Sequence, residues 1–288
     1  MRISSNQLQS VLQFAKKELS SIYDEREIQS FYYLLCEHFL GMNRSSVILN
    51  PDTLLSESEL LNFNFSIKDL KKEKPIQYII GSTYFLDYNF LVDEHTLIPR
   101  PETEELVQWI IEEESRNQAQ KILDIGTGSG CIAISLAKKI SFSEVLAIDL
   151  SENALKKAQE NARRLNASVE FVRDDILHPH SFTDEVFDLI VSNPPYVLEK
   201  EKKHMRKNVL EFEPEQALFV PDYDSLLFYR RILDFAKNHL KKGGKLYFEI
   251  NEQMGDKMMA LLREYHYKAI ILKNDLSERP RMMQTVKA

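Results

Sequence analysis

The chain has 288 residues, 43% hydrophobic and 28% charged, which excludes a disordered polymer and leaves room for about two domains of ~150 residues. Its 37 Lys and Arg stand against 44 Asp and Glu, so a net charge of -7 repels phosphate backbones and gives no global basis for holding nucleic acid. Two cysteines, Cys36 and Cys131, exclude a disulfide framework and are too few for a thiolate zinc site.

Residues 1–75 read as helices. Leu8, Val11, Leu12, Ala15 and Leu19 form one apolar stripe, and Ile28, Phe31, Leu34, Leu35 and Phe39 a second. Gly41 stands where the second helix should stop, and Ser56 with Glu59 has the spacing of a capping box. Nothing here carries chemistry, so a small helical bundle with a structural or partner-binding role is expected. From Pro75 the pattern changes to PIQYIIGSTYFLDYNFLVDEHTLIPRP, whose aromatic and β-branched residues predict a hairpin linker over 76–98. Pro101 then opens a helix, PETEELVQWIIEEE, with Glu102, Glu104 and Glu105 where a helix N-terminus favours negative charge and Leu106, Val107, Ile110 and Ile111 on its buried face.

Apolar strands and amphipathic helices alternate through the rest of a third segment, 99–288. KILDIG (121–126), EVLAIDL (144–150), VEFVRDD (169–175), DLIVSN (188–193) and KLYFEI (245–250) read as buried strands, with helices at about 130–139, 152–165 and 225–240. A helix near 252–265 precedes YKAIILKND and a terminal QTVKA, two further strands. This is the pattern of an α/β fold, a parallel sheet covered on both faces, and such sheets carry their functional residues at the carboxyl ends of the strands. The chain has no run of ~18 apolar residues and no apolar secretion block at its start. The expectation is a cytoplasmic protein without a membrane segment.

Asp124-Ile125-Gly126-Thr127-Gly128-Ser129-Gly130 follows the first of these strands and enters a helix. Three glycines in five positions allow a tight turn, close approach of a ligand to the backbone, and amide groups free to receive a carboxylate or phosphate. Asp149 ends the next strand, 19 residues after Gly130, where a carboxylate can accept hydrogen bonds from a ribose diol. Dinucleotide enzymes favour GxGxxG, whereas Cys131 fills that last position here, so the loop points to S-adenosylmethionine. Its methionine end would meet Gly126, Thr127, Gly128, Ser129 and Gly130, its ribose Asp149, and its adenine Asp175 and Ile176. Cys131, at a helix start among small residues, is expected to be packing rather than a nucleophile.

The fourth strand runs into Asn193-Pro194-Pro195-Tyr196. An Asn before Pro is pushed to an extended backbone, and the two prolines stiffen the chain beyond it, so the Asn193 amide oxygen and the Pro194 carbonyl form a rigid pair of acceptors. The pair suits an NH2 group, with Tyr196 as a flat wall for the planar group that carries it. An amide or ring-amino nitrogen is a poor nucleophile, and holding it in line with a sulfonium methyl would raise its reactivity by positioning and polarisation. No metal is expected, since His178 and His180 lack a third ligand at suitable spacing.

With these motifs in place the sequence resembles the protein-(glutamine-N5) methyltransferases that modify peptide chain release factors, the PrmC or HemK family. The resemblance extends to Pro75, Gln77, Tyr78, Gly81 and Phe85, to Ile98 through Glu104, to Glu213-Pro214 with Ala217-Leu218, and to Asp275-Leu276 with Arg279 and Arg281. It implies a helical substrate-recognition domain (1–75), a β-hairpin linker (76–98) and a seven-stranded Rossmann-like S-adenosylmethionine-dependent methyltransferase domain (99–288) with one antiparallel strand. The implied substrate is the glutamine of the Gly-Gly-Gln loop, and the implied partners are release factors; the acidic charge gives the expectation of no direct nucleic acid, and a monomer is expected with a dimer left open. Carried over by position, Gly126 to Gly130, Asp149, Asp175, Ile176 and Asn193 line the cofactor. Asn193, Pro194, Pro195 and Tyr196 hold the glutamine as the catalytic set, and Arg100, Pro101 and Glu102 border the same cleft. Departures are Asn251 in place of the family's Gly after Glu249-Ile250, Ser225 in Asp224-Ser225-Leu226, and Ile176 where an aromatic is common. The tetrapeptide also resembles that of amino-group methyltransferases acting on adenine in DNA or guanine in ribosomal RNA. Against that stand the acidic charge and the only basic run, Lys200 to Lys207, which is interleaved with Glu199 and Glu201. A cofactor-binding scaffold without activity is the remaining alternative, disfavoured by the intact Asn193 and Tyr196.

Overall fold

The computed structural model describes residues 3–114, 120–182 and 185–288. Five helices come first: α1 (Leu8–Leu19), α2 (Glu25–Leu40), α3 (Arg44–Leu49), α4 (Glu57–Leu70) and α5 (Ile76–Ile80). The capping box is present, Ser56 N donating to the Glu59 carboxylate at 2.7 Å and Glu59 N to Ser56 Oγ at 3.3 Å. Gly41 ends α2 with φ +64°, a left-handed conformation open to glycine at no steric cost. The buried face of α2 is rotated from the expected stripe. Ile28, Tyr32, Leu35 and Cys36 are buried and Leu34 is 37% exposed, because the 28, 32, 35, 36 spacing fits one helical face better than adjacent 34 and 35 can.

The linker also differs from expectation. Residues 76–80 form helix α5, capped by Pro75 and ended by Gly81 at φ +74°. Burial of Ile76 and Tyr78 overrides the β preference of an Ile- and Tyr-rich run, with Ile76 in the apolar core of the other helices. Only then does the hairpin follow, β1 (Ser82–Phe85) pairing antiparallel with β2 (Tyr88–Leu91).

The remaining elements are α6 (Pro101–Glu114), β3 (Lys121–Ile125), α7 (Cys131–Lys139), β4 (Glu144–Asp149), α8 (Glu152–Leu165), β5 (Glu170–Arg173) and β6 (Phe187–Ser192). They continue with β7 (Val197–Leu198), α9 (Lys207–Phe212), β8 (Phe219–Val220), α10 (Leu227–His239), β9 (Leu240–Glu249), α11 (Gly255–Glu264), β10 (Lys268–Asn274) and β11 (Pro280–Val286). The chain forms two compact units, one of Met1–Gly81 with Arg206–Phe212 and one of Ser82–Met205 with Glu213–Ala288.

The second unit is built on a seven-stranded sheet of order β10-β11-β9-β6-β3-β4-β5. β11 pairs antiparallel with both β10 and β9, and the other pairs of the sheet are parallel. Strand alternation divides the core in two. Leu123, Ile125, Ile148, Ile190 and Phe248 face α10 and α11, whereas Ile122, Val145, Ala147, Leu189 and Tyr247 face α6 and α7. The parallel register sets Ile125 beside both Ile148 and Ser192, Asp149 beside Arg173, and Ser192 beside Phe248. The loops that leave β3, β4, β5, β6 and β9 therefore rise from one edge.

Asn161, fully buried on α8, ties two of these parts together. Its Oδ1 accepts from Leu91 N at 2.7 Å, and its Nδ2 donates to Leu91 O at 3.0 Å and to Ser129 O at 2.9 Å, joining the hairpin to the glycine loop. Asn161→Ala strands three backbone groups, so it should destabilise the protein by about 2–4 kcal/mol in urea titration, well beyond a control at the exposed Gln108, Gln108→Ala.

Candidate active site

The turn after β3 shows why three glycines stand there. All have left-handed φ, +78° at Gly126, +55° at Gly128 and +82° at Gly130, but they meet different surroundings. A Cβ at Gly126 or Gly128 would have no atom within 4 Å, and both residues line a cavity of about 520 Å³. At Gly130 a Cβ would come within 2.9 Å of Ile134 Cδ1 and 3.1 Å of Ala158 Cβ. The first two leave room for a ligand, and the third lets α7 pack against α8.

Carboxylates hold the turn. Asp149 Oδ2 accepts from Gly128 N at 2.8 Å and its Oδ1 from Ser151 N at 2.8 Å. Burial pushes its pKa up against the pull of these amides. Asp124 is fully buried at the end of β3. Its Oδ2 accepts from Thr127 Oγ1 at 2.6 Å and Ala133 N at 3.2 Å, while Oδ1 has no partner among the described residues. Burial first, and the charge of Asp149 to a lesser degree, pushes Asp124 up to about 7. Thr127 and Ser129 are themselves buried within the turn and do not line the cavity.

After β5, Asp174 is buried and accepts from the amides of Asp175, His180 and Ser181 at 2.9 to 3.1 Å. The folded-back loop leaves Asp175 and Ile176 on the cavity wall, with Asp175 Oδ1 accepting from Leu177 N. Cys131 is buried and its thiol is pushed up to about 12, chiefly by burial and then by Asp124, which makes it inert as a nucleophile.

Asn193, Pro194 and Pro195 close the other side of the cavity, and Asn193, Pro194 and Tyr196 share a smaller recess with Arg100. Two residues to which the sequence reading assigned no role stand behind them. Asn193 Nδ2 donates to Thr103 Oγ1 at 3.1 Å, Thr103 Oγ1 donates to Glu249 Oε2 at 2.6 Å, and Tyr196 OH donates to Glu249 Oε1 at 2.8 Å. Glu249 is 1% exposed. Burial raises its pKa, the Thr103 and Tyr196 hydroxyls and Arg281 oppose this, and Glu102 adds to it. Their only signal in sequence was their place in the Pro-Glu-Thr-Glu and Glu-Ile-Asn segments. Arg100 pairs with the buried Glu213 at 2.6 Å, whose other oxygen takes Ile98 N. Pro101 is exposed and Glu102 half-buried at the start of α6, and neither lines the cavity or the recess.

Of the three departures, Asn251 follows β9 without a left-handed φ, so the position does not require glycine. Its side chain caps Gln253 N at 3.0 Å and reaches Tyr196 O at 3.4 Å. Asp224 accepts from Leu226 N at 3.3 Å and pairs with Arg230, a turn that does not involve the side chain of Ser225. Ile176 lies on the cavity wall as an apolar surface.

S-adenosylmethionine fits these residues. Gly126 and Gly128 leave a cradle that a side chain would fill, and Asp149, Asp175 and Ile176 line the cavity with them.

Sheet order, glycine turn and the Asn-Pro-Pro-Tyr edge together define a Rossmann-like methyltransferase. The Methyltransferase small domain family matches residues 103–215, and the PrmC N-terminal domain family residues 10–81. A release factor glutamine methyltransferase of Flavobacterium psychrophilum is 50% identical over 92% of this chain and 94% of that protein. One of Bacteroides thetaiotaomicron is 42% identical over 94% and 96%. The chain belongs to the release factor glutamine methyltransferase family. Among solved structures, the T. thermophilus ribosomal RNA methyltransferase RsmC in complex with AdoMet and guanosine shares 16% identity, TM-score 0.51, over 72% of this chain and 50% of that one. A human methyltransferase 10 domain containing protein shares 17%, TM-score 0.50, over 69% and 88%. These last two show the fold alone.

The glycines make a contrast that can be measured. Gly130→Ala should lose about 2–3 kcal/mol of stability through contact and backbone strain. Gly128→Ala should lose only about 1 kcal/mol but weaken S-adenosylmethionine binding about tenfold or more, by calorimetry. Asp124 yields a pH test. Its folded pKa of about 7 lies above the ordinary 3.8, so the folded state holds a proton that the unfolded state has released, and stability falls as pH rises between them. From pH 5 to 8 the ligand-free protein should lose about 2–3 kcal/mol relative to Asp124→Asn in parallel urea titrations.

Proposed function

We propose that this protein transfers a methyl group from S-adenosylmethionine to the side-chain amide nitrogen, N5, of the glutamine in the Gly-Gly-Gln motif of peptide chain release factors. The observation that carries the reading is one sheet edge presenting both a glycine cradle with its ribose-type acceptor and the rigid Asn193-Pro194 pair on one cavity. Membership of the family supplies the substrate class.

Gly126 and Gly128 offer close backbone approach to the methionine end, Asp149 accepts from the ribose, and Asp175 and Ile176 flank the adenine. When bound, the cofactor supplies an electrophilic methyl on sulfonium sulfur. Asn193 Oδ1 and the Pro194 carbonyl take the two amide hydrogens of the glutamine, and Tyr196 supports its plane. The nitrogen is thereby turned toward the methyl carbon, and holding it there lowers the entropic part of the barrier. Transfer would form a carbon–nitrogen bond at the expense of the cofactor's carbon–sulfur bond, and Asn193 Oδ1 and the Pro194 carbonyl would hold the proton that the nitrogen then gives up to solvent. Arg100 borders the recess beside Asn193 and Tyr196, and the helical residues 1–75 recognise the release factor. In this reading the enzyme works as a cytoplasmic monomer without direct contact to nucleic acid.

Incubation with labelled cofactor and, separately, release factor, DNA or ribosomal RNA tests the assignment. Label on one glutamine of the release factor, located by peptide mass mapping, is expected, and label in nucleic acid alone would defeat it. Asn193→Ala should cut turnover by more than ~10²-fold while cofactor affinity changes less, as for loss of one preorganised polar partner.

A further inference from the structure

We infer that Thr103 and Glu249 are positioning residues that set which way round the Asn193 carboxamide faces. The inference deepens the function proposed above and rests on it. A threonine hydroxyl has a single proton to give. Here it goes to Glu249 Oε2 at 2.6 Å, so only lone pairs remain on Thr103 Oγ1 for Asn193. The carboxamide must then turn its NH2 to Thr103, as it does at 3.1 Å, and Oδ1 is left for the cavity. Turned over, Asn193 would present its oxygen to Thr103 and compete for that proton, stranding a carboxylate oxygen of a residue 1% exposed. It would also present an NH2 to the NH2 of the incoming glutamine.

The same carboxylate orders the other end of the tetrapeptide, since Oε1 accepts from Tyr196 OH at 2.8 Å. One buried acid thus directs an acceptor and an aromatic wall three residues apart, without touching substrate. Thr103 comes from the first turn of α6 and Glu249 from the end of β9, so the polarity of the site is fixed from two elements that carry none of the tetrapeptide.

The test compares wild type, Thr103→Val, Thr103→Ser and Glu249→Gln in full-length protein. Thr103→Val should lower kcat about tenfold or more, with cofactor affinity within about twofold, and Thr103→Ser should return most of the rate. Glu249→Gln, which exchanges one acceptor for a donor and forces one hydroxyl to reverse, should lower kcat in the same way. An unchanged kcat in Thr103→Val, an equal loss in Thr103→Ser, or a loss shared with cofactor affinity would overturn the assignment. A second measurement needs no substrate. The Asn193 side-chain amide signals in a nitrogen-15 spectrum, identified by their loss in Asn193→Ala, should exchange slowly with solvent in wild type and Thr103→Ser and faster in Thr103→Val. Equal exchange in all three would also overturn it. Wild type that leaves the release factor glutamine unmodified would reject the function instead, with the exchange measurement still deciding the relay.

Discussion

A carboxylate withdrawn from water is stabilised by donors, and at the functional edge of this protein that demand shapes several loops. Asp149 takes the amides of Gly128 and Ser151, and Asp174 takes those of Asp175, His180 and Ser181. Glu213 takes Arg100 and Ile98 N, and Glu249 takes two hydroxyls. Even the turn between β10 and β11 obeys the rule, with Asp275 accepting from the amides of Ser277 and Arg279 and from the Arg281 side chain, which holds its carboxyl below the usual range. Asp174, Glu213, Glu249 and Asp275 are buried and Asp149 is partly exposed, and most of the donors these five acids take are backbone amides and hydroxyls.

This use of charge explains how an acidic protein builds a site for a cationic cofactor and a neutral amide. Acids such as Asp149 and Asp175 that line the cavity are braced by backbone amides and keep part of their acceptor capacity toward it. Asp124 differs, since one oxygen has no partner among the described residues and burial makes its ionisation costly. Glu249 differs again. It never reaches the cavity, and its whole capacity is spent on orienting neighbours.

The sheet makes these arrangements meet. Its parallel register brings the ends of β3, β4, β5, β6 and β9 level, and its alternation buries one set of aliphatics under α10 and α11 and the other under α6 and α7. Helix α6 has two tasks at once. Its Leu106, Val107 and Ile110 pack into the core while Thr103, one turn earlier, faces the tetrapeptide. Family departures are absorbed locally: Asn251 occupies a backbone conformation any residue adopts and adds a contact to Tyr196.

Periodicity and local spacing were enough to read the seven strands, the helices between them, the glycine turn, Asp149 and the Asn-Pro-Pro-Tyr segment, because each is encoded within a few consecutive residues. The face of α2 and the helix at 76–80 were misjudged where burial in a shared core outweighed local preference. The division of labour among the three glycines, the staple through Asn161 and the chain from Asn193 through Thr103 to Glu249 could be decided only in three dimensions. Ala158 lies 28 residues beyond Gly130, and the hydrogen-bonded partners of Asn161, Asn193 and Thr103 lie 32 to 146 residues away, distances over which a contact leaves no periodic trace in the chain.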